Sequence, residues 1–223
     1  MVNVLRVVSY NVHGLRGDQR ALAEVVRELA PDVLVVQEAP RRLRWRTRNA
    51  QLAHALHLVY VTGGAPSLGN VICTDLRVRP RGTWEVRYPL TPGRHLRGAA
   101  FARCTAGGAP FVVVGSHLAT DPAERPGQAQ LLKKALADLD VPVILAGDLN
   151  ETAGGSAWRM LADGLVDAAG ADVTATYPLT GQRLDAVFVD PRITVTGYRV
   201  VDSPAARRAS DHLPVVVDLA LPD

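Results

Sequence analysis

Six apolar segments of the sequence each run into an acid, an amide or a histidine at or near one end. The polar residues concerned are Asn11, Glu38, His117, Asp148 with Asn150, Asp185, and Asp211 with His212. A carboxylate at the end of a buried strand loses hydration unless it is paired or binds a cation. Because the set has four carboxylates and no cysteine, it favours Mg²⁺ or Mn²⁺ over Zn²⁺. If the strand ends converge on one rim, the sequence predicts a metal-dependent site there.

These residues must be positioned by strands and helices, which do not alternate regularly along the chain. The periodicity of apolar residues predicts helices over 19–29, with Asp18 as the N-cap, and over 42–57, 126–139 and 155–163. Strands are predicted over 4–9, 32–37, 58–62, 70–74, 83–88, 98–104, 110–116, 141–146, 184–189, 194–201 and 213–219. Because regular β-α-β alternation is absent, a TIM barrel and a Rossmann sheet do not fit. A two-layered or sandwich-like α/β domain fits better.

The composition is that of a globular protein, with 48% hydrophobic and 21% charged residues. Its 223 residues suit one domain over 1–223. Two cysteines, Cys73 and Cys104, rule out a disulfide scaffold, and there is no Cys-x-x-Cys motif. No apolar stretch is long enough to cross a bilayer, and the N-terminus has no signal-peptide pattern. We therefore expect a soluble, cytoplasmic, monomeric protein.

Charge is unevenly distributed along the chain. Residues 41–97 contain 11 Arg and two acids, whereas residues 138–223 contain 13 acids and six Arg. Arginine matches phosphate in a bidentate manner, so a basic segment facing an acidic one suggests a site where a metal and a polyanion meet. A solvated, arginine-rich helix is the alternative interpretation. Within the basic segment, Arg94 and Arg97 lie in a Pro-Gly loop that could reach a substrate.

Six sequence blocks resemble the successive motifs of the endonuclease/exonuclease/phosphatase superfamily of DNase I-like phosphoesterases. They are Ser-Tyr-Asn-Val-His-Gly-Leu (9–15), Gln-Glu (37–38), Gly-Ser-His-Leu (115–118), Gly-Asp-Leu-Asn-Glu-Thr (147–152), Arg-Leu-Asp-Ala-Val-Phe-Val (183–189) and Ser-Asp-His-Leu-Pro-Val (210–215). The resemblance implies a four-layered α/β sandwich, with two mostly antiparallel sheets flanked by helices and the site at one rim. It also implies a hydrolase of phosphoester bonds that depends on Mg²⁺, with Mn²⁺ as an alternative.

The resemblance assigns a role to each residue of the set. Glu38 and Asp211 would bind the metal, and Asn11 would bind the metal or a water on it. His212 would take a proton from a metal-activated water or stabilise the transition state, and Asp185 would hold its ring. Asp148 would orient or activate the water, and Asn150 would hold the substrate phosphate. His117 would hydrogen-bond a non-bridging phosphate oxygen or protonate the leaving group.

Several functions stay open at this stage. Abasic-site endonucleases have a tyrosine where this chain has His117, which argues against that branch. A phosphodiesterase of the nuclease type is the first hypothesis, with a phosphoester and possibly nucleic acid as partner. A phosphatase or phosphodiesterase acting on small-molecule or lipid phosphoesters is the alternative, and an inactive anion-binding module is the second. A serine-hydrolase elbow at Ser67 is rejected, because residues 70–73 resemble a strand rather than a helix.

Overall fold

A computed structural model describes residues 4–222 of the chain. Residues 1–3 and 223 lie outside the described residues. They include the ends of the predicted domain and the first residues of the segment in which no signal-peptide pattern was found. The strands, in chain order, are β1 (Val4–Asn11), β2 (Val33–Gln37), β3 (Val59–Gly63), β4 (Val71–Thr74), β5 (Val78–Arg87), β6 (Gly98–Ala106), β7 (Ala109–His117), β8 (Val143–Asp148), β9 (Val166–Asp167), β10 (Asp185–Val189), β11 (Thr194–Val200) and β12 (Val215–Ala220). The helices are α1 (Gln19–Leu29), α2 (Trp45–Ala55), α3 (Arg125–Ala137), α4 (Ser156–Ala162) and α5 (Pro204–Ala209), with a 3-10 turn at His13–Leu15.

The strands form two six-stranded sheets with the same internal pattern. Their orders are β11-β12-β1-β2-β4-β3 and β5-β6-β7-β8-β10-β9. In each sheet the central pair is parallel, β1 with β2 and β7 with β8, and the other named pairs are antiparallel. Parallel neighbours end at the same edge of a sheet, so each sheet presents two adjacent strand ends.

Three apolar clusters hold four layers together. Between the sheets, a buried cluster includes Val7, Val35, Val113, Ile144 and Val217. On the outer face of the first sheet, apolar residues of α1, α2 and α5 pack against β1 and β2. On the outer face of the second sheet, α3 and α4 pack against β7 and β8. The predicted four-layered α/β sandwich with two mostly antiparallel sheets is therefore confirmed.

Helix α5 and strand β9 escaped the sequence patterns, and strand β5 begins earlier than predicted. Helix α5 has only six residues, begins with Pro204 and is capped by Ser203, whose Oγ accepts a hydrogen bond from the Ala206 amide. Strand β9 has two residues. Strand β5 begins at Val78 rather than at residue 83, because Pro80 and Gly82 obscure the strand pattern at a register shift. Among residues 4–222, no helix is long and apolar enough to cross a membrane.

Gly147 is required where β7 and β8 lie side by side. A Cβ at this position would come within 1.9 Å of the Ser116 carbonyl oxygen, a backbone atom that cannot move freely. We expect Gly147→Ala to lower the free energy of unfolding by about 1–3 kcal/mol or more, measured by urea denaturation. The matched control is Gly154→Ala, where no atom lies within 4 Å of the added Cβ. Equal stability of the two variants would contradict this packing argument.

Candidate active site

The candidate site lies where the central parallel strands of both sheets end. Asn11 and Gln37 are register partners at the ends of β1 and β2, and His117 and Asp148 are partners at the ends of β7 and β8. Asp185 begins β10 directly opposite Asp148. The segment Ser210–His212 precedes β12, which runs antiparallel to β1. The topology therefore brings residues far apart in the chain to one rim.

His212 is held rigidly against Asp185. Its Nδ1 lies 2.8 Å from Asp185 Oδ2, and both side chains are buried. Its backbone amide donates to Ser210 Oγ at 3.2 Å, and the Tyr177 ring lies 4.8 Å from the imidazole. The imidazole is thereby oriented with Nε2 toward Asp148 Oδ2, at 3.7 Å.

The protonation of His212 is set by opposing effects. Burial alone lowers its pKa. The charge and hydrogen bond of Asp185, with the charges of Asp148 and Asp211, outweigh burial and raise the pKa to about 9. In the absence of a metal, the structure therefore favours the imidazolium form at neutral pH.

Asp148 is the buried centre of the site. Its Oδ2 accepts a hydrogen bond from Asn11 Nδ2 at 3.0 Å and lies 3.3 Å from His117 Nε2. Its Oδ1 accepts from the backbone amide of Asn150 at 2.9 Å. Burial and the charge of Asp185 raise the pKa of this carboxyl. Asp148 and His117 belong to the second sheet, and Asn11 belongs to the first. The hydrogen bond between Asn11 and Asp148 therefore links the two sheets at the site.

His117 lies between Asp148 and Arg97. Its Nδ1 is 3.2 Å from Arg97 Nη1, and since a guanidinium only donates, Nδ1 accepts this hydrogen bond. Burial and the Arg97 charge hold the pKa of His117 well below its usual range, so the ring is neutral. Asn150 Nδ2 lies 3.0 Å from His117 Nε2 and donates to the Leu118 carbonyl at 3.0 Å.

Glu38 and Asp211 lie at the margins of this contact network. Glu38 follows β2 in the left-handed backbone region, with φ of 57°, is partly exposed and lines a cavity beside Arg97. Asp211 Oδ1 lies 3.6 Å from His13 Nδ1 and 3.4 Å from Ser210 Oγ. Both carboxylates thus keep oxygen atoms free of close cationic partners among residues 4–222.

Two groups of residues could hold a divalent cation. Asp148, Asp185 and His212 place one potential ligand atom each within 4.8 Å of one another. Asp185 Oδ1 is buried without a hydrogen-bond partner among the described residues, as expected for an atom that a cation would satisfy. The predicted metal ligands Glu38, Asn11 and Asp211 offer oxygen donors, and they lie after β2, at the end of β1 and before β12, three strands that neighbour one another in the first sheet. Both sets suit a hard cation, so the chemistry of the donors fits a divalent metal.

The predicted site residues are mostly in mutual contact. Direct contacts join six of the eight, namely Asn11, His117, Asp148, Asn150, Asp185 and His212. The patterns missed Tyr177, which lies in an irregular loop with no periodic signal. Ser210 belongs to the block 210–215 but was given no role; its Oγ donates to the Asn11 carbonyl at 2.6 Å. Arg97 reaches the site, whereas Arg94 instead pairs with Asp121 at 2.7 Å.

The rejected serine-hydrolase interpretation is also wrong on structural grounds. Ser67 is buried and its Oγ donates to the Asn70 carbonyl at 2.5 Å. Residues Val71–Thr74 form strand β4, not the helix that a nucleophile elbow requires.

Comparison with known sequences identifies the class of protein. Residues 8–212 match the sequence model of the Endonuclease/Exonuclease/phosphatase family. The chain therefore belongs to this family, and the matched span includes all eight predicted site residues. Comparison with curated proteins gave no significant match.

Solved structures share the fold over nearly the whole chain. The endonuclease/exonuclease/phosphatase from Beutenbergia cavernae is 28% identical, with a TM-score of 0.75, and the match covers 99% of this chain and 72% of that one. The mannosyl-6-phosphatase of Bacteroides thetaiotaomicron is 19% identical, with a TM-score of 0.77 and coverage of 97% and 100%. The D. rerio TDP2, complexed with a single-strand DNA product, is 21% identical, with a TM-score of 0.77 and coverage of 97% and 98%.

The raised pKa of His212 predicts a pH dependence of stability in the metal-free protein. A folded-state pKa near 9 means that protonated His212 stabilises the native state. This contribution is complete below the ordinary histidine pKa of about 6.5 and is lost as the pH rises through about 9. In EDTA, we therefore expect the Tm of the wild type to fall more between pH 7 and 9.5 than the Tm of His212→Gln. Parallel Tm profiles would refute the assignment of a charged His212.

Proposed function

We propose that this protein is a metal-dependent hydrolase of phosphoester bonds, and specifically a phosphodiesterase of the nuclease type. The observation that carries the proposal is a buried histidine held between two carboxylates. His212 Nδ1 lies 2.8 Å from Asp185 Oδ2, and His212 Nε2 lies 3.7 Å from Asp148 Oδ2. Membership of the family supports the reaction class. The neutral His117 and Asn150 beside the pair supply the polar side chains that a phosphate needs.

The proposed metal ligands are Glu38, Asn11 and Asp211, and the proposed ion is Mg²⁺, with Mn²⁺ as an alternative. The two carboxylates in this set have open oxygen atoms, and Asn11 Oδ1 accepts a hydrogen bond from the His13 amide at 3.0 Å. In the other set Asp185 Oδ1 is also open, but both oxygens of Asp148 and the Nδ1 of His212 are already engaged. When bound, the cation supplies positive charge that offsets the charge developing on the phosphoryl oxygens.

Metal affinity distinguishes the two candidate ligand sets. We expect Glu38→Gln to weaken the binding of Mn²⁺ at least about tenfold, measured by calorimetric titration, because it removes an anionic ligand. Asp185→Asn is the matched comparison, since it removes one carboxylate from the other set. A larger loss of affinity in Asp185→Asn than in Glu38→Gln would assign the metal to Asp148, Asp185 and His212 instead.

Asp148 and His212 form the proposed proton-transfer pair. His212 acts as a base only when its imidazole is neutral, whereas its raised pKa favours the charged form. In the charged form it stabilises negative charge on the phosphoryl group, and the Asp148 carboxylate then accepts the proton of the attacking water. The proton of the attacking water thus passes to neutral His212 or, when His212 is charged, to the Asp148 carboxylate. Asp185 keeps the His212 ring oriented in both protonation states.

Phosphate binding is assigned to His117 and Asn150. Burial and Arg97 keep His117 neutral, so it can hydrogen-bond a phosphoryl oxygen without the cost of a buried ionic pair. Asn150 has a positive φ of 50°, and its side chain is anchored on the Leu118 carbonyl. Both side chains are therefore fixed before a substrate binds, which lowers the entropic cost of positioning it.

Hydrolysis of small phosphoesters is the second candidate function. The mannosyl-6-phosphatase has the same fold, and so does the TDP2 that binds a single-strand DNA product, so the fold serves both classes of substrate. An inactive module that only binds anions is the remaining alternative. Its weakness is that the chain retains every one of the predicted catalytic side chains, most of them in mutual contact.

A panel of substrates tests the proposal. Supercoiled plasmid, bis(p-nitrophenyl) phosphate and p-nitrophenyl phosphate would be incubated with the protein in Mg²⁺ and in EDTA. We expect plasmid nicking and diester hydrolysis in Mg²⁺ only. Hydrolysis of the monoester alone would favour the phosphatase alternative. A folded protein that hydrolyses none of the three and still binds anions would overturn the enzymatic proposal.

A further inference from the structure

A cavity of about 510 Å³ opens beside Glu38 and is lined mainly by cationic side chains. Its charged and titratable lining residues are Arg16, Arg41, Arg42, Arg48, His95 and Arg97, with Glu38 as the one acid among the lining residues. We call this space the arginine cavity. No Phe, Tyr or Trp lines it, so it lacks the large aromatic rings on which nucleobases most often stack.

The arginines of this cavity differ from most others in the protein. None of the five forms an ion pair with a carboxylate of residues 4–222. Ten other arginines do form such a pair; for example, Arg183 lies 2.7 Å from Asp167, and Arg192 lies 2.7 Å from Asp190. Uncompensated charges of one sign around a concave space raise the local concentration of ligands of the opposite sign.

Arg97 connects the arginine cavity to the proposed catalytic residues. Its side chain is 8% exposed, and its Nε is buried without a hydrogen-bond partner among the described residues. Its Nη1 bonds to His117 Nδ1 at 3.2 Å, and His117 in turn contacts Asp148. A buried guanidinium without a paired carboxylate is costly. An anion in the cavity would supply the missing partner.

We propose that the arginine cavity binds a second phosphoryl group of the substrate, next to the phosphate held by His117 and Asn150. The inference rests on the proposed function, because the reacting phosphate must lie at the rim. The planar guanidinium presents paired donors that match phosphoryl oxygens, which favours a phosphoryl group over an uncharged moiety. Such a group occurs in small molecules with adjacent phosphates and at the phosphorylated end of a nucleic acid strand.

Binding of inorganic pyrophosphate in EDTA tests the inference without catalysis. We expect the wild type to bind pyrophosphate more tightly than inorganic phosphate in calorimetric titration, because only pyrophosphate reaches both positions. In the double variant Arg42→Gln/Arg48→Gln, pyrophosphate binding should weaken at least about tenfold. The matched control is Arg79→Gln/Arg81→Gln, which removes the same charge from exposed positions on β5 outside the cavity.

Two results would overturn the inference. The first is a wild type that binds pyrophosphate no better than phosphate. The second is an equal loss of pyrophosphate affinity in the Arg42/Arg48 and Arg79/Arg81 variants, because that result would mean that only the net charge of the protein matters. If pyrophosphate binds as expected but no phosphoester is hydrolysed, the proposed function fails and the anion site stands, so the two failures are distinguishable.

A pair of dinucleotides then identifies the source of the second phosphoryl group. A dinucleotide with a 5′-phosphate and the same dinucleotide with a 5′-hydroxyl would be titrated against the wild type and the Arg42/Arg48 variant. Tighter binding of the phosphorylated form, lost in the variant, supports the phosphorylated end of a nucleic acid. Equal binding of the two forms overturns the nucleic acid source and leaves small molecules with adjacent phosphates.

Discussion

Replacing His212 by glutamine should lower the rate of phosphodiester hydrolysis by about 10²–10⁴-fold while the protein stays folded. Its imidazole lies 2.8 Å from Asp185 and 3.7 Å from Asp148, between the two carboxylates. Glutamine can keep a hydrogen bond to Asp185, but it can neither accept a proton from water at neutral pH nor carry a positive charge. The variant therefore loses both roles assigned to His212.

The kinetic signature of His212→Gln should be a loss of kcat with little change in KM. Phosphate binding is assigned to His117 and Asn150, which the substitution leaves in place. The matched control is His54→Gln on the exposed surface of α2. Circular dichroism and thermal unfolding would establish that both variants are folded. A folded His212→Gln protein with wild-type kcat would remove His212 from the chemistry.

Replacing Asp148 by asparagine should reduce hydrolysis by a factor comparable to that of His212→Gln, about 10²-fold or more. Its Oδ2 accepts from Asn11 Nδ2 at 3.0 Å and lies close to both histidines, so the carboxylate organises the whole site. Asparagine keeps the shape of the side chain but removes the charge and the ability to accept a proton.

The two substitutions should not be additive. Because Asp148 and His212 are in contact and share one task, the double variant Asp148→Asn/His212→Gln should be about as slow as the slower single variant. Asp138→Asn, at an exposed position after α3, controls for the change in charge. If the losses of the single variants multiply in the double variant, the two residues act independently and the proton-transfer pair is wrong.

Much of the site could be predicted because its residues interrupt apolar strands. Asp148 and Asp185 stand out in sequence since a carboxylate at a buried strand end needs a partner, and each has one in the structure. The sandwich itself followed from the resemblance of the six blocks to a known superfamily. Periodicity alone led only to a layered α/β domain without regular alternation.

Other features could not be predicted because they depend on long-range packing. Tyr177 lies in an irregular loop, and only the folded chain brings its ring to 4.8 Å from His212. Strand β1 pairs in parallel with β2, and β7 with β8, and this pairing determines which strand ends meet. No local sequence pattern predicts it. Arg97 was noted as part of a basic loop, but its burial against His117 depends on the fold.

The most direct measurement is the rate of bis(p-nitrophenyl) phosphate hydrolysis by the wild type and by His212→Gln, each in Mg²⁺ and in EDTA. If the rim is a metal-dependent phosphoesterase site, p-nitrophenol is released rapidly only by the wild type with Mg²⁺, and EDTA or the substitution abolishes the release. Hydrolysis that persists in EDTA, or that is unchanged in a folded His212→Gln protein, would contradict the assignment of the activity to this site.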